Sequence, residues 1–351
     1  MTSHKAMQSR HVVLRLGPFT LRVERRSLLV GAILTAIMAT AAVFIMTLGD
    51  YLLSPADVVR AVIGTHSNPL AIYFVQELRA PRVVLAILVG AALGMSGCIF
   101  QQLTANPLGS PDITGFTTGA AAGALLQIIV FNGGPAAIAL AAIIGGFATG
   151  ALVYGLSAGA GMSGTRFVLV GIGIAAVLQG INQLLIVKAS LSAAQTAQQW
   201  LVGSFNATTW GETTTFAIAI AVLSPLALVL ARSLSIMMTG AEMAVGLGVP
   251  VGRRRLQLIA MGVILVAISV AAAGPIAFVA LAAPQLARTL SRTSGVGLGL
   301  AALMGATLVL LSDAIAQRLF APTQLPVGVV TGAVGGVYLV WLLAMEWRRK
   351  R

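Results

Sequence analysis

Long stretches of this chain carry no ionisable side chain, and they recur. Uncharged, largely apolar runs appear near residues 28–48, 83–101, 113–131, 135–157, 167–187, 214–231, 293–312 and 327–345. Each is long enough, or nearly so, to cross about 30 Å of hydrocarbon as a helix. A soluble core cannot hide so many, so the chain reads as an all-α, multi-pass membrane protein. Composition agrees, because 58% of the 351 residues are hydrophobic and 9% are charged, against about a quarter charged in soluble domains. The 39 glycines predict close backbone contact between spans.

Leu256–Ala287 also lacks charge, but is too long for one straight span and short for two. Ala273-Gly274-Pro275 sits near its middle, and proline removes a backbone donor and clashes with the preceding turn. A break there gives ten spans in all. Parity supports that number, since the basic C-terminal tail 348–351 then shares the cytoplasmic side with the N-terminal tail 1–27, as the positive-inside rule requires. Only Arg60, Arg79, Arg82, Lys188 and Arg318 fall on the opposite side. The first run, Leu28–Leu48, follows Arg22, Arg25 and Arg26 but is too long for a signal-peptide core, and is read as a retained span. The domain plan is a tail 1–27, too polar to enter the bilayer, one permease-sized membrane domain 28–347 and a basic tail 348–351.

The net charge of +13 clusters at the termini and between apolar runs, without interleaved aromatics. It therefore speaks for membrane orientation and lipid contact, not for nucleic acid. Cys98, the lone cysteine, lies inside an apolar run and forms no intrachain disulfide.

Several chemistries are missing. No run holds the ionisable group that an ion-coupled secondary transporter usually needs, and His4, His11 and His66 all lie outside the spans, so no metal site is expected. None of Lys5, Lys188 and Lys350 follows a glycine, which excludes a P-loop, and no H-E-x-x-H or G-x-S-x-G occurs. The chain is expected to be no enzyme and to bind no cofactor of its own. Energy for uphill transport has to come from another chain.

Four groups of residues are candidates for function. Gln179, Asn182 and Gln183 fall at i, i+3 and i+4 and so project together, either lining a neutral pathway or joining helices by hydrogen bonds; Gln101 and Gln102 border the same route or snorkel. Arg79 and Arg82 bracket Pro81 at the outer end of the second span, as interfacial anchors or as partners for another protein's carboxylates. The inner loop 232–255 contains Ala241–Leu247, a short helix expected between Gly240 and Gly248-Val249-Pro250, which suits docking better than linking. The corner Asn106–Gly115, with Pro107 and Pro111, turns the chain, and Asp112 is expected to cap the helix that follows.

With these residues in hand, the chain resembles the FecCD-type permeases, membrane subunits of bacterial ABC importers for iron-siderophores, haem and vitamin B12. The resemblance rests on R-A-P-R at 79–82, L-V-G-A-A-L-G-M-S-G at 88–97, N-P-L-G-S-P-D-I-T-G at 106–115, G-L-G-V at 246–249, A-G-P-I-A-F-V-A-L-A-A-P at 273–284 and L-P-V-G-V-V-T-G at 325–332. Gly335-Gly336 is followed by Val337-Tyr338 where many members have Pro-Phe, which is more similar to the ferric-enterobactin type than to the B12 type.

The resemblance implies the ten-span fold of the vitamin B12 permease. It also implies import of a ferric siderophore, or alternatively haem or cobalamin, across the bacterial inner membrane with both termini cytoplasmic. The implied partners are a second permease subunit, identical or homologous, two ATPase subunits using ATP and Mg, and a substrate-binding protein. It assigns ATPase coupling to Glu242, Ala244, Gly246 and Gly248, and binding-protein docking to Arg79, Arg82 and, one place beyond its position in some members, Arg318.

Overall fold

The structure is a computed structural model describing residues 11–16, 19–49, 51–157, 164–292, 295–321 and 323–349. Lys5, Arg10, Lys350 and Arg351 of the expected tails lie outside the described residues. Two strands, β1 (His11–Leu16) and β2 (Phe19–Glu24), are followed by helices α1 (Arg25–Thr47), α2 (Pro55–Val62), α3 (Pro69–Tyr73), α4 (Ala80–Leu103), α5 (Phe116–Ile129), α6 (Pro135–Ser157) and α7 (Gly164–Lys188). Then come α8 (Leu191–Leu201), α9 (Trp210–Met237), α10 (Ala241–Gly246), α11 (Val251–Ala273), α12 (Val279–Ser291), α13 (Leu298–Arg318) and α14 (Val327–Arg349). Seven described helices are long and apolar enough to cross a membrane, and two shorter apolar ones accompany them. The antiparallel hairpin β1–β2 lies within the segment 1–27 read as a polar tail, and α1 begins at Arg25.

The second span begins earlier than its sequence suggested. Helix runs without interruption from Pro69 to Leu103, and Pro81 is accommodated by a π-helical turn, Phe74–Arg79, in which the Ala80 amide donates to Val75 O. In that wider register Pro81 lacks the N–H that would reach Gln76 O. The Trp210 indole N–H supplies the donor instead, at 2.7 Å.

Helix α4 is the centre of the molecule, with most of its residues buried and α9, α11, α12 and α13 around it. Its glycines explain how. A Cβ on Gly90 would strike the backbone of Gly305 and Ala306, one on Gly94 the carbonyl of Ala301, and one on Gly97 that of Ala280. Membrane helices gain little from hydrophobicity against lipid, so van der Waals contact between closely approaching backbones has to hold them. A second seam of this kind joins α5 to α6 through Gly119, Gly123 and Gly145. Phe100, Phe116 and Phe167 pack at 5.0–6.2 Å between centroids and tie α4, α5 and α7 together.

The break at 273–275 is present but is more than a hinge. Gly274–Phe278 runs without helix between α11 and α12, with Gly274 at φ 72° and Phe278 at φ 68°. Helix α12 spans about 20 Å at 1.5 Å per residue, short of the about 30 Å of a hydrocarbon core. Irregular backbone at membrane depth survives only inside protein or beside water. Here Ser204 N–H donates to Ala273 O at 2.8 Å, and Gly203 and Gly328 pack against the Pro275 carbonyl.

If close approach holds α4 in place, Gly94→Ala will lower the melting temperature in detergent sharply, by a loss of about 1–3 kcal/mol typical of overpacking. Gly155→Ala, where a Cβ meets nothing within 4 Å, will leave it unchanged or raise it. Equal melting temperatures for the two variants would contradict the seam.

Candidate functional site: a buried ion pair, a short loop helix and a polar span

At the N-terminal end of α4 the two candidate arginines are already engaged within the chain. Arg82 grips Asp313 of α13 through both carboxylate oxygens, Nε at 2.9 Å and Nη2 at 2.8 Å, and its Nη1 donates to Gln324 Oε1. Gln317 Nε2 donates to the same carboxylate. The Asp313 side chain is wholly buried and that of Arg82 is 13% exposed, so a bidentate pair offsets the desolvation of two charges. Arg79 donates to the carbonyls of Met46 and Tyr51 and stands over the Phe74 ring, clamping the segment after α1. Neither arginine is presented outward as their docking role implied. Arg318 is exposed at the end of α13.

In the 232–255 loop α10 matches the short helix expected there. It ends in a Schellman motif, Gly248 N–H to Val245 O and Val249 N–H to Ala244 O, with Gly248 at φ 78°, a conformation glycine adopts without penalty. The two flanking glycines, Gly240 and Gly248, therefore hold the helix ends. Ala244 is fully buried, whereas Met243, Val245 and Leu247 are 59–63% exposed. Glu242 and Gly246 are also exposed. The outward surface of α10 is thus apolar at Met243, Val245 and Leu247, while Ala244 is turned inward.

The polar trio on α7 divides. Asn182 is buried, with its Nδ2 directed at Thr118 O at 3.5 Å, and joins α7 to α5. Gln179 and Gln183 are exposed, in a helix whose most apolar stretch is only 11% buried. Gln101 is not on an open route: it is 2% exposed, donates to Leu281 O and accepts from Arg288 at 2.6 Å. It locks α4 to α12.

The corner is built as its residue types suggest, with one exception. Asn106 Oδ1 accepts from Leu108 N–H and Asn106 O from Gly109 N–H, which closes the turn ahead of Ser110 and Pro111. Pro107 O accepts from Gln285. Asp112 does not cap α5: Gly115, at φ 84°, holds that position, and Asp112 Oδ1 accepts the Thr117 hydroxyl. The tip exposes Ala105, Pro107 and Leu108.

With this geometry in place, comparison with known proteins is decisive. Residues 26–345 match the FecCD transport family. The chain belongs to that family. It is 43% identical over 328 residues to the ferric enterobactin transport system permease protein of Escherichia coli (strain K12), covering 93% of this chain and 99% of the relative. It is 36% identical over 340 residues to the achromobactin transport system permease protein of Dickeya dadantii (strain 3937), covering 95% and 97%. Among solved structures it is similar to an inward-facing conformation of a metal-chelate type ABC transporter, with a TM-score of 0.80, 28% identity, and coverage of 90% of this chain and 99% of that one. The FecCD resemblance read from the motifs is thereby confirmed, as is the all-α, multi-pass membrane fold.

Asp313 and Gln324, which hold Arg82, had no mark in the sequence beyond a carboxylate near the end of an apolar run. In this FecCD chain, removing either charge of the pair alone leaves the other buried and uncompensated. Asp313→Leu or Arg82→Met is expected to destabilise the protein by about 3–5 kcal/mol, while the double variant recovers most of the loss. Thermal unfolding of the three variants in detergent checks this. Additive losses would show that the two side chains act separately.

Proposed function

We propose that this chain is the membrane-spanning subunit of an ABC importer that carries a ferric siderophore across the bacterial inner membrane, with both termini cytoplasmic. The observation that carries the reading is the exposed face of α7. Gln179 and Gln183 are exposed within an apolar span, and Gly173 and Gly180 of the same helix meet nothing within 4 Å. Amide side chains facing acyl chains would be unsatisfied. A second permease subunit, identical or homologous, placed against this face removes the conflict, since small residues admit a close neighbour and the amides then border a neutral route. A neutral, hydrogen-bonding lining lets a bulky anionic chelate pass without trapping it by charge. The ferric enterobactin relationship of the Escherichia coli protein supports the substrate class.

In this reading two ATPase subunits, using ATP and Mg, dock on Met243, Val245 and Leu247, with Glu242 at the rim. A substrate-binding protein meets the opposite face. Its carboxylates reach Arg318 directly, but reach Arg82 only in competition with Asp313. The exposed corner tip at Leu108 adds an apolar contact on the ATPase side.

Reconstitution with the ATPase and a binding protein tests the whole reading. A binding protein loaded with a ferric siderophore is expected to stimulate ATP hydrolysis above the unloaded protein, and Met243→Arg with Leu247→Arg to abolish copurification of the ATPase while the permease stays folded. Stimulation by haem or cobalamin alone would refute the substrate class. Undiminished copurification would refute the docking surface.

A further inference from the structure

Between α1 and the long helix Pro69–Leu103 lies α2, and its helical spacing sorts its residues onto three faces. Val58 and Ala61 are buried against the bundle. Asp57 and Arg60 share a second face and pair at 3.7 Å, with His66 Nε2 at 3.6 Å from the same carboxylate oxygen. Val59, Val62 and Ile63 form the third face and are 48–65% exposed, and Leu52, just ahead of the helix, is 78% exposed. Both ends of α2 are held. Ser54 Oγ accepts from the Asp57 amide, Pro55 opens the first turn, and Gln76 Nε2 donates to the carbonyls of Ala61 and Val62. A well-anchored helix therefore carries an apolar surface that no described part of the chain covers.

Hydrogen bonds fix the level of that surface. Helix α1 has 23 residues, about 34 Å at 1.5 Å per residue, so it ends close to the edge of about 30 Å of hydrocarbon. Arg79 donates to Met46 O and Tyr51 O, which places its guanidinium at the end of α1. The long helix has 35 residues, about 52 Å, and its turns ahead of Arg79 stand beyond the hydrocarbon. Gln76, which holds the end of α2, precedes Arg79 by less than one turn, about 5 Å along the axis. Gln76 O also accepts the indole N–H of Trp210. Trp210 and, one turn before Gln76, Tyr73 are exposed, and these two residue types collect at the headgroup level.

We propose that α2 is an interfacial membrane anchor: it lies in the headgroup layer with Leu52, Val59, Val62 and Ile63 turned to the acyl chains and Asp57, Arg60 and His66 turned to water. Two observations give this face to lipid. The exposed side of α1 continues to Phe44 in its last turn, 58% exposed, so lipid-facing surface already reaches the segment from which α2 starts. A partner arriving from water, in contrast, meets the charged face of α2. The helix carries one acid and one base, so it is held by apolar insertion and not by attraction to anionic lipid. Through Gln76 and the contacts of Arg79, such an anchor sets the depth of both α1 and the long helix. The proposal rests on the membrane-spanning fold alone and does not depend on the substrate or on any partner subunit.

The test uses the full-length chain in nanodiscs. Cys98 is buried, so cysteines introduced one at a time as Val59→Cys, Ile63→Cys and Arg60→Cys can be labelled selectively with an environment-sensitive fluorophore. Lipids carrying a quencher just below the headgroup are expected to quench labels at 59 and 63 several-fold more than the label at 60, to the same extent in phosphatidylglycerol and in phosphatidylcholine. Equal quenching at the three positions would overturn the proposal, and a difference seen only in phosphatidylglycerol would overturn insertion as its basis. So would labels at 59 and 63 that lipid never quenches and that are shielded only when a substrate-binding protein is added, because that result gives the face to a protein.

Discussion

The contact between α4 and α13 is the constraint on which the remainder of the structure depends. Its middle is backbone against backbone, Gly90 on Gly305 and Gly94 on Ala301, with no room for a Cβ. Its outer end is the Arg82–Asp313 pair. The two halves act differently. The glycine seam supplies dispersion contact where lipid offers no hydrophobic gain, while a buried ion pair adds little net stability but penalises every arrangement that separates its charges. Together they fix both the distance between the helices and their register. The bond from Gln101 to Leu281 O then sets α12, and the Phe100 ring sets the approach of α5, α7 and Gly262 of α11.

Around this frame the helices are packed unevenly. In their most apolar stretches the Pro69–Leu103 helix is 78% buried and α13 56%, whereas α7 is 11% and α9 22%. A transporter needs both kinds. The rigid pair carries the outer clamp, where Arg79 holds the carbonyls of Met46 and Tyr51, and the lightly held α7 carries the glutamines assigned to the pathway. The short helix α10 hangs from the long α9, which is itself lightly packed within this chain. Asymmetric packing of this kind lets one part move without loss of the fold.

Much of this was legible in the chain. Uncharged runs gave the spans, Ala273-Gly274-Pro275 marked the break, and Gly240 and Gly248 framed α10, because each signal is local. Other local signals were there to be used: strict alternation in Phe19–Glu24, and alternation broken only at Val13 in His11–Leu16, spelled a hairpin, and Thr209 with Glu212 spelled the capping box that starts α9 before residue 214. What stayed hidden was tertiary. Nothing at Arg82 indicates a partner 231 positions away, and helical spacing that groups Gln179, Asn182 and Gln183 cannot say that α5 takes Asn182 for itself. The burial of Ala244 was hidden in the same way, since it depends on packing that the sequence of the short helix does not show.

The central claim is that α4 and α13 move as one body while α7 does not. Spin labels on exposed Leu78, at the outer end of the long helix, and Ile315, on α13, report the first distance, and labels on Leu78 and Val177 report the second. Pulsed electron resonance through the nucleotide-free, binding-protein-bound and ATP-bound states of the assembled transporter measures both. The account predicts an unchanged 78–315 distribution in all three states and a shifted 78–177 distribution in at least one. A 78–315 distance that changes with nucleotide would contradict it.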